Sequence, residues 1–590
     1  MKNPKEYYKK HLEIYIEEVK KLTNKMTLFS MYRIAVFLLT IFGVYMAFSQ
    51  WQVVVVIAVI CIIVFGILLS KYTDLKKKKA LHKALAHINE TELKIASGDY
   101  HNKSEGLEFQ DSNHFYSLDI DLFGRGSFFQ FINRTTIKEG KENLANALKA
   151  NDVSHIEIRQ KAIKELSEKI KWRQHFSATS SLITVETPAK QIIQWLKNHK
   201  LFLPKHIKWL PLAFTILSLA LFVLTVLNVM PNPEFIGYWL LIGLGITGTY
   251  LKKINVLASN TDKVRDTFRQ YALLLDLIEN EQFSSELLQQ KQKQIRSGDK
   301  KASVLFAAFS KALDALDNRN NLIGAIFGNG CFLSDIKNSY RIEQWIKQHG
   351  NKVSDWFEVV SFFDAYNSLG NYAYNHPNFV FPEIKNNEAV IKAEHLGHPL
   401  LKKEKRIDSD LTINNEEFFI VTGANMAGKS TFLRTVSLHI VMANVGLPVC
   451  AKSSEYSPVK LITSMRTSDS LTDDSSYFFS ELTRLKYIVD AIQKEPYFIV
   501  LDEILKGTNS TDKAIGSKKF VEKLVASNAT GIIATHDLSL CEIEHELSDV
   551  KNYYFDAEII NDELHFDYKL KTGVCQNMNA SFLLKKMNIV

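Results

Sequence analysis

Residues Gly423 to Ser430 read Gly-Ala-Asn-Met-Ala-Gly-Lys-Ser, the spacing G-x-x-x-x-G-K-[ST]. These residue types suit phosphate chemistry. Gly423 and Gly428 free the backbone to wrap a polyphosphate and turn N–H groups inward, with Ala424, Asn425, Met426 and Ala427 completing the wrap. Lys429 reaches the β/γ-phosphates, and Ser430 offers a hydroxyl to Mg²⁺, with Thr431 beside it. Farther along, Asp502 is placed to hold Mg²⁺ through water, and Glu503 to polarise an attacking water. His536 could sense a γ-phosphate or position that water. A glycine turn that merely carries Lys-Ser, or a strand that merely ends in acids, explains either segment alone but not their succession. The reaction expected is ATP binding and hydrolysis with Mg²⁺.

Each of these side chains needs an element behind it. Phe418 to Thr422 is an apolar, β-branched run entering the glycine loop, and a helix-compatible segment opens at Thr431. Phe498 to Leu501 predicts a second strand that delivers Asp502 and Glu503, and Gly531 to Thr535 a third that delivers His536. The helix N-terminus after the loop adds a dipole favourable to anions. The expected C-terminal part is thus an α/β P-loop NTPase domain.

A chain of 590 residues exceeds a single core. Its net charge of +8 is concentrated beside four apolar runs, so basicity argues only weakly for nucleic acid. Cysteines at 61, 331, 450, 541 and 575 have neither metal nor redox spacing and read as reduced thiols. No small-residue cleavage site follows the first apolar run, so a cleavable signal is not expected.

Met31 to Phe48 and Trp51 to Ser70 are each about long enough to cross a bilayer core. Trp209 to Met230 and Phe235 to Leu251 form a second pair, joined by Pro231-Asn-Pro-Glu234. Lys71, Lys76 to Lys79, Lys205, Lys208, Lys252 and Lys253 all lie on the outer flanks, which places both termini and the large loops in the cytoplasm. Buried hairpins of a soluble core would show a polar face, and VVVVIAVICIIVFGILL has none. The expectation is a multi-pass protein of the cytoplasmic membrane with four transmembrane helices.

Between and after the hairpins the chain is mostly helical, as in RQKAIKELSEKIKWRQHF, residues 254–318 and Glu343 to Tyr374. Tyr116 to Phe123 alternates apolar and acidic residues and predicts a strand or extended edge. The expected layout is a cytosolic segment 1–28, a membrane hairpin 29–70, a helical core 71–207, a second hairpin 208–251, a helical lever 252–400 and the ATPase domain 401–590.

Taken together, TGANMAGKSTFLRT (422–435), RTSDSLTDDSSYFFSEL (466–482), VLDEILKGTNSTD (500–512) and ATHD (534–537) resemble the ATPase of the MutS family, relatives of the mismatch-recognition proteins within the ABC-type ATPases. Residues 117–148 and 361–374 are similar to the start and end of that family's helical core. The resemblance covers 110–207 and 254–590. It implies that Asn425 and Met426 fill the family's distinctive loop slots and that Ser476 is the serine reaching the γ-phosphate of the partner's ATP. Asp512 would lie in the loop communicating across the dimer. It further implies a homodimer through the ATPase domains, and DNA as a partner. No small-molecule substrate beyond ATP is expected.

Some residues depart from the family pattern. Ala424 stands for the usual Pro, Asp474 for the signature Gly and Lys506 for Arg; an acid at 474 predicts slow turnover. The family's aromatic mismatch reader, Phe-x-Glu, does not occur in the N-terminal hairpin, and its spacing at Phe520 to Glu522 falls inside the ATPase. The second hairpin falls about where the family inserts its DNA clamp, and the chain ends at Val590, where dimerising helices would continue. The leading expectation is a membrane-anchored MutS-type ATPase acting on DNA. The alternatives are an ABC-like mechanotransmitter or transporter and a nucleotide-gated scaffold.

Overall fold

The computed structural model describes residues 3–183, 187–227, 229, 234–297, 300–386, 388–466, 477–560 and 563–576. It is a multidomain, helix-rich chain with α/β sheets at its C-terminal end. The chain begins with two very long helices, α1 (Pro4–Met46) and α2 (Trp51–Ala96), paired as a hairpin. α1 runs without a break from a polar stretch into an apolar one, and α2 from an apolar stretch into a polar one. Further helices are α3 (Lys138–Lys149), α4 (Ile156–Glu168), α5 (Ile170–Ser181), α6 (Leu210–Val226) and α7 (Glu234–Asn280). After a short β-turn segment come α8 (Ala302–Asp317), α9 (Leu322–Phe332), α10 (Ser334–His349) and α11 (Val353–Asn375).

The central rod is α11, almost wholly buried, with α7, α8 and α10 packed through an aromatic cluster of Phe268, Phe306, Phe309, Trp345 and Phe357. The N-terminal hairpin is fastened to this rod by polar groups. Fully buried Glu92 of α2 accepts from Arg134 Nε (2.6 Å), Asn371 Nδ2 (3.0 Å) and Asn375 Nδ2 (2.9 Å), and Tyr8 Oη of α1 donates to Asn375 (2.7 Å). A buried carboxylate is tolerated because every donor around it is aimed at it.

Among the described residues three helical stretches are long and apolar enough to cross a membrane: those in α1 and α2, and Lys205–Thr225, which contains α6. The fourth expected segment, Phe235 to Leu251, forms the start of the 47-residue α7. Its Gly243 and Thr247 are buried, Gly243 against α9, an apolar helix with no counterpart among the sequence-based expectations. Most of the connecting turn, 231–233, lies outside the described residues.

The C-terminal part holds β1 (Ala389–Leu396), β2 (Ser409–Asn414), β3 (Phe418–Gly423), α12 (Lys429–Val445), β4 (Ser453–Tyr456) and β5 (Lys460–Ser464). It continues with α13 (Tyr477–Ile492), β6 (Tyr497–Asp502), α14 (Ser510–Val525), β7 (Thr530–Ala534), β8 (Val550–Ile560) and β9 (Glu563–Thr572). One sheet has the order β9-β8-β3-β7-β6-β5, parallel throughout except for the β8/β9 edge pair. All residues of β3 and β7 are buried, as expected of strands covered on both faces. A smaller sheet pairs β4, β1 and β2.

Tyr116 to Phe123 is not a strand. It is a series of turns, with Asp121 at φ +50°. Its alternating acids serve the interface with the sheet domain. Asp119 accepts from Thr463 Oγ1 (2.5 Å) and Arg466 N (2.9 Å), and Asp121 pairs with Arg434 (3.1 Å) and Arg466 (2.6 Å). Nearby, Asn151 exchanges two hydrogen bonds with the Leu461 backbone (2.8 and 2.9 Å).

Candidate functional site

The C-terminal ends of β3, β6 and β7 are neighbours in register, with Val421 opposite Ala534 and Ala534 opposite Asp502. That alignment gathers the loop after β3, the acids after β6 and the histidine after β7 at one edge. Between β3 and α12 the loop turns on Gly423 (φ +146°) and Gly428 (φ +109°). A Cβ at Gly423 would stand 2.6 Å from Phe555 O, so only glycine fits where the loop crosses β8. Ala424 and Ala427 are buried, whereas Asn425, Met426, Ser430 and Thr431 are exposed; Met426 is 78 % exposed at φ +68°.

The Lys429 ammonium is buried and donates to Gly423 O (2.9 Å) and Ala424 O (3.1 Å), with His536 Nε2 3.2 Å away. Burial lowers its pKa, an effect opposed by Asp502 and Glu503. Ser430 Oγ donates to Asp502 Oδ2 at 2.7 Å, setting a hydroxyl beside a carboxylate whose pKa burial raises. His536 Nε2 lies 2.9 Å from Glu503 Oε1, and Lys506 Nζ is 3.7 Å from Glu503 Oε2. With the proton on Nε2, the imidazole donates to Glu503, and Lys429 keeps its two carbonyl acceptors. The hydrogen bond from His536, helped by Lys506, brings the Glu503 carboxyl down to about 2.

Glu503 and Leu505 both have left-handed backbone, at φ +49° and +60°. What holds this turn is Glu481 of α13, which accepts from Leu505 N (2.6 Å) and Lys506 N (3.0 Å) while itself 3 % exposed. The sequence reading passed over Glu481. It is one of several polar residues along α13 and carries no signal in the sequence that sets it apart. Asp512 lies apart, at the exposed start of α14, where its backbone N–H and carboxylate bond to the cap residue Asn509. Ser476 and Asp474 lie outside the described residues. A cavity of about 1230 Å³ opens elsewhere, where α1, α2 and α11 meet the segment 399–408, and none of the site residues lines it.

The family MutS domain V matches residues 419–585, the stretch that contains the loop, both acids and the histidine. The C-terminal part of the chain is thus similar to proteins of the MutS family. It is 32 % identical over 240 residues to human MutS protein homolog 4, covering 39 % of this chain and 25 % of that protein. The DNA mismatch repair protein MutS of Staphylococcus haemolyticus is 26 % identical over 257 residues, covering 42 % of this chain and 29 % of the relative. That of Methanococcoides burtonii is 31 % identical over 237 residues, covering 39 % and 26 %. The chain therefore spans only about a quarter of the length of these MutS-family relatives.

Proposed function

We propose that this chain is a membrane-anchored ATPase that binds Mg²⁺-ATP at residues 423–431, hydrolyses it at Glu503 and couples closure of a homodimer to DNA. One observation carries this reading: Lys429, Ser430, Asp502, Glu503 and His536 meet at one edge of one parallel sheet. These residues suit the group. The glycine turns leave backbone N–H groups free to face a polyphosphate at the start of α12, and the Ser430–Asp502 pair offers the hard oxygens that Mg²⁺ prefers.

When bound, Mg²⁺-ATP supplies an electrophilic γ-phosphoryl group whose charge the metal helps to neutralise. Lys429 Nζ would bind the phosphate oxygens, and Ser430 Oγ with Asp502 would hold the metal. Glu503 orients water, and His536 Nε2 keeps that carboxylate ionised and fixed in direction. Kinship with proteins named for DNA mismatch repair supports DNA as the partner. Four membrane helices, with the soluble parts on the cytoplasmic side, complete the proposal, together with the layout of six segments given above. Ser476 and Asp512 belong to the dimer half of this reading.

Lys429→Ala is expected to abolish nucleotide binding, measured by equilibrium dialysis. Glu503→Gln should retain binding and trap a closed dimer, seen by size-exclusion chromatography with ATP. Normal turnover in both variants would refute the site. A second reading, an ATPase that acts mechanically on the bilayer, is favoured by the unbroken run of α2 from apolar stretch to Glu92 and of α7 into the lever. Stimulation of ATPase activity by lipid but by no DNA would select it.

A further inference from the structure

α9 is eleven residues long, and nearly all its large side chains face outward: Leu322 is 73 % exposed, Ile323 69 % and Phe327 56 %, with Ile326 and Phe332 also open. It does not stand alone. A Cβ at Gly243 of α7 would lie 2.3 Å from Gly330 O, and one at Gly330 would lie 2.5 Å from Leu240 Cγ, so the two backbones touch through glycine. On the other side Ser218 Oγ of α6 donates to Cys331 O (2.7 Å) and accepts from Trp239 Nε1 (2.8 Å) beneath the stacked Phe214 and Trp239 rings. These contacts fall in the middle of the apolar stretches of α6 and α7. The exposed faces of the three helices, with Ile216 and Phe222 of α6 and Leu241 and Ile242 of α7, form one apolar surface.

We propose that α9 is a re-entrant helix that dips into the bilayer beside α6 and α7 and returns to the side it came from; this rests on the membrane reading above. Three observations carry it. A helix of this length spans about 16 Å, roughly half of a hydrocarbon core, so it cannot cross. Its flanks are tied together, because Arg319 before it and Asp335 after it form an ion pair (3.5 Å), and Arg319 also donates to Asn255 of α7 (2.6 Å). Finally, carbonyls at its inner end find donors within the protein, as hydrocarbon demands. Cys331 O lies 2.7 Å from the Ser218 hydroxyl, whose other acceptor is Phe214 O (2.8 Å), and Gly328 O accepts from Ser334 Oγ (2.9 Å). The occupant of the α9 face is therefore lipid acyl chain, and α8 and α10 hang directly from a membrane-seated element.

The test uses the full chain in phosphatidylcholine/phosphatidylglycerol vesicles containing acyl-chain doxyl lipids, in a Cys61→Ser, Cys331→Ala background. A bimane probe is placed by Phe327→Cys or Ile323→Cys, with Phe222→Cys on α6 and Lys523→Cys on α14 as references. The expected result is blue-shifted emission and at least twofold quenching by doxyl lipid at 327 and 323, as at 222, with aqueous iodide ineffective. Quenching at 222 while 327 and 323 respond to iodide like 523 would overturn the proposal and leave the membrane reading standing. No lipid quenching at 222 would overturn both.

Discussion

Glu503 sits on a strained turn, and its environment explains both its ionisation and its aim. His536 donates to one carboxylate oxygen, Lys506 approaches the other, and Glu481 pins the backbone that follows through two N–H bonds. Left-handed backbone at two non-glycine residues persists only where surrounding contacts impose it. Glu481→Ala would leave the buried Leu505 N–H unmet, at a cost of about 1–3 kcal/mol, and the part-buried Lys506 N–H to water. The expected outcome is a lower kcat for ATP hydrolysis with nucleotide affinity little changed. Equal loss of both would mean that Glu481 serves the fold of the whole site rather than the aim of Glu503.

At the scale of elements, the glycines of α7 divide sharply. Gly237, Gly245 and Gly248 have no atom within 4 Å of an added Cβ, whereas Gly243 meets backbone at once. Overpacking of this kind costs about 1–3 kcal/mol. Gly243→Ala is therefore expected to lower the thermal unfolding temperature of the detergent-solubilised protein, while Gly237→Ala leaves it unchanged. Equal behaviour of the two would contradict the close packing of α7 on α9. The turn segment 116–123 teaches a related lesson. Its apolar-acidic alternation imitates a strand, yet the acids face Thr463, Arg434 and Arg466 across an interface that periodicity does not register.

Across the whole molecule, burial keeps three histidines neutral. Burial lowers His439 of α12, 2 % exposed, to about 4 from an ordinary value of 6.5, and His376 and His398 likewise to about 4. The sign follows from proton binding. The unfolded chain takes up protons near 6.5 and the folded one does not, so stability is full above that pH and is lost as pH falls toward 4. Denaturant midpoints in detergent should fall over that window, and His439→Leu should shallow the decline. A decline of undiminished slope in the variant would place the acid sensitivity elsewhere.

The residues that meet at the candidate site were legible in the chain because their spacing is local: a glycine-bounded loop ahead of Lys429 and Ser430, and strands that end in Asp502, Glu503 and His536. Apolar runs of membrane length were legible for the same reason, since helix length against bilayer thickness is a one-dimensional comparison. Glu481 and α9 were not. The value of Glu481 comes from backbone N–H groups 24 and 25 residues away. The role of α9 comes from Gly243, Ser218 and Arg319, brought to it by three different helical segments. Spacing along the chain identifies which groups can do chemistry, and only packing across it determines which groups hold them in place.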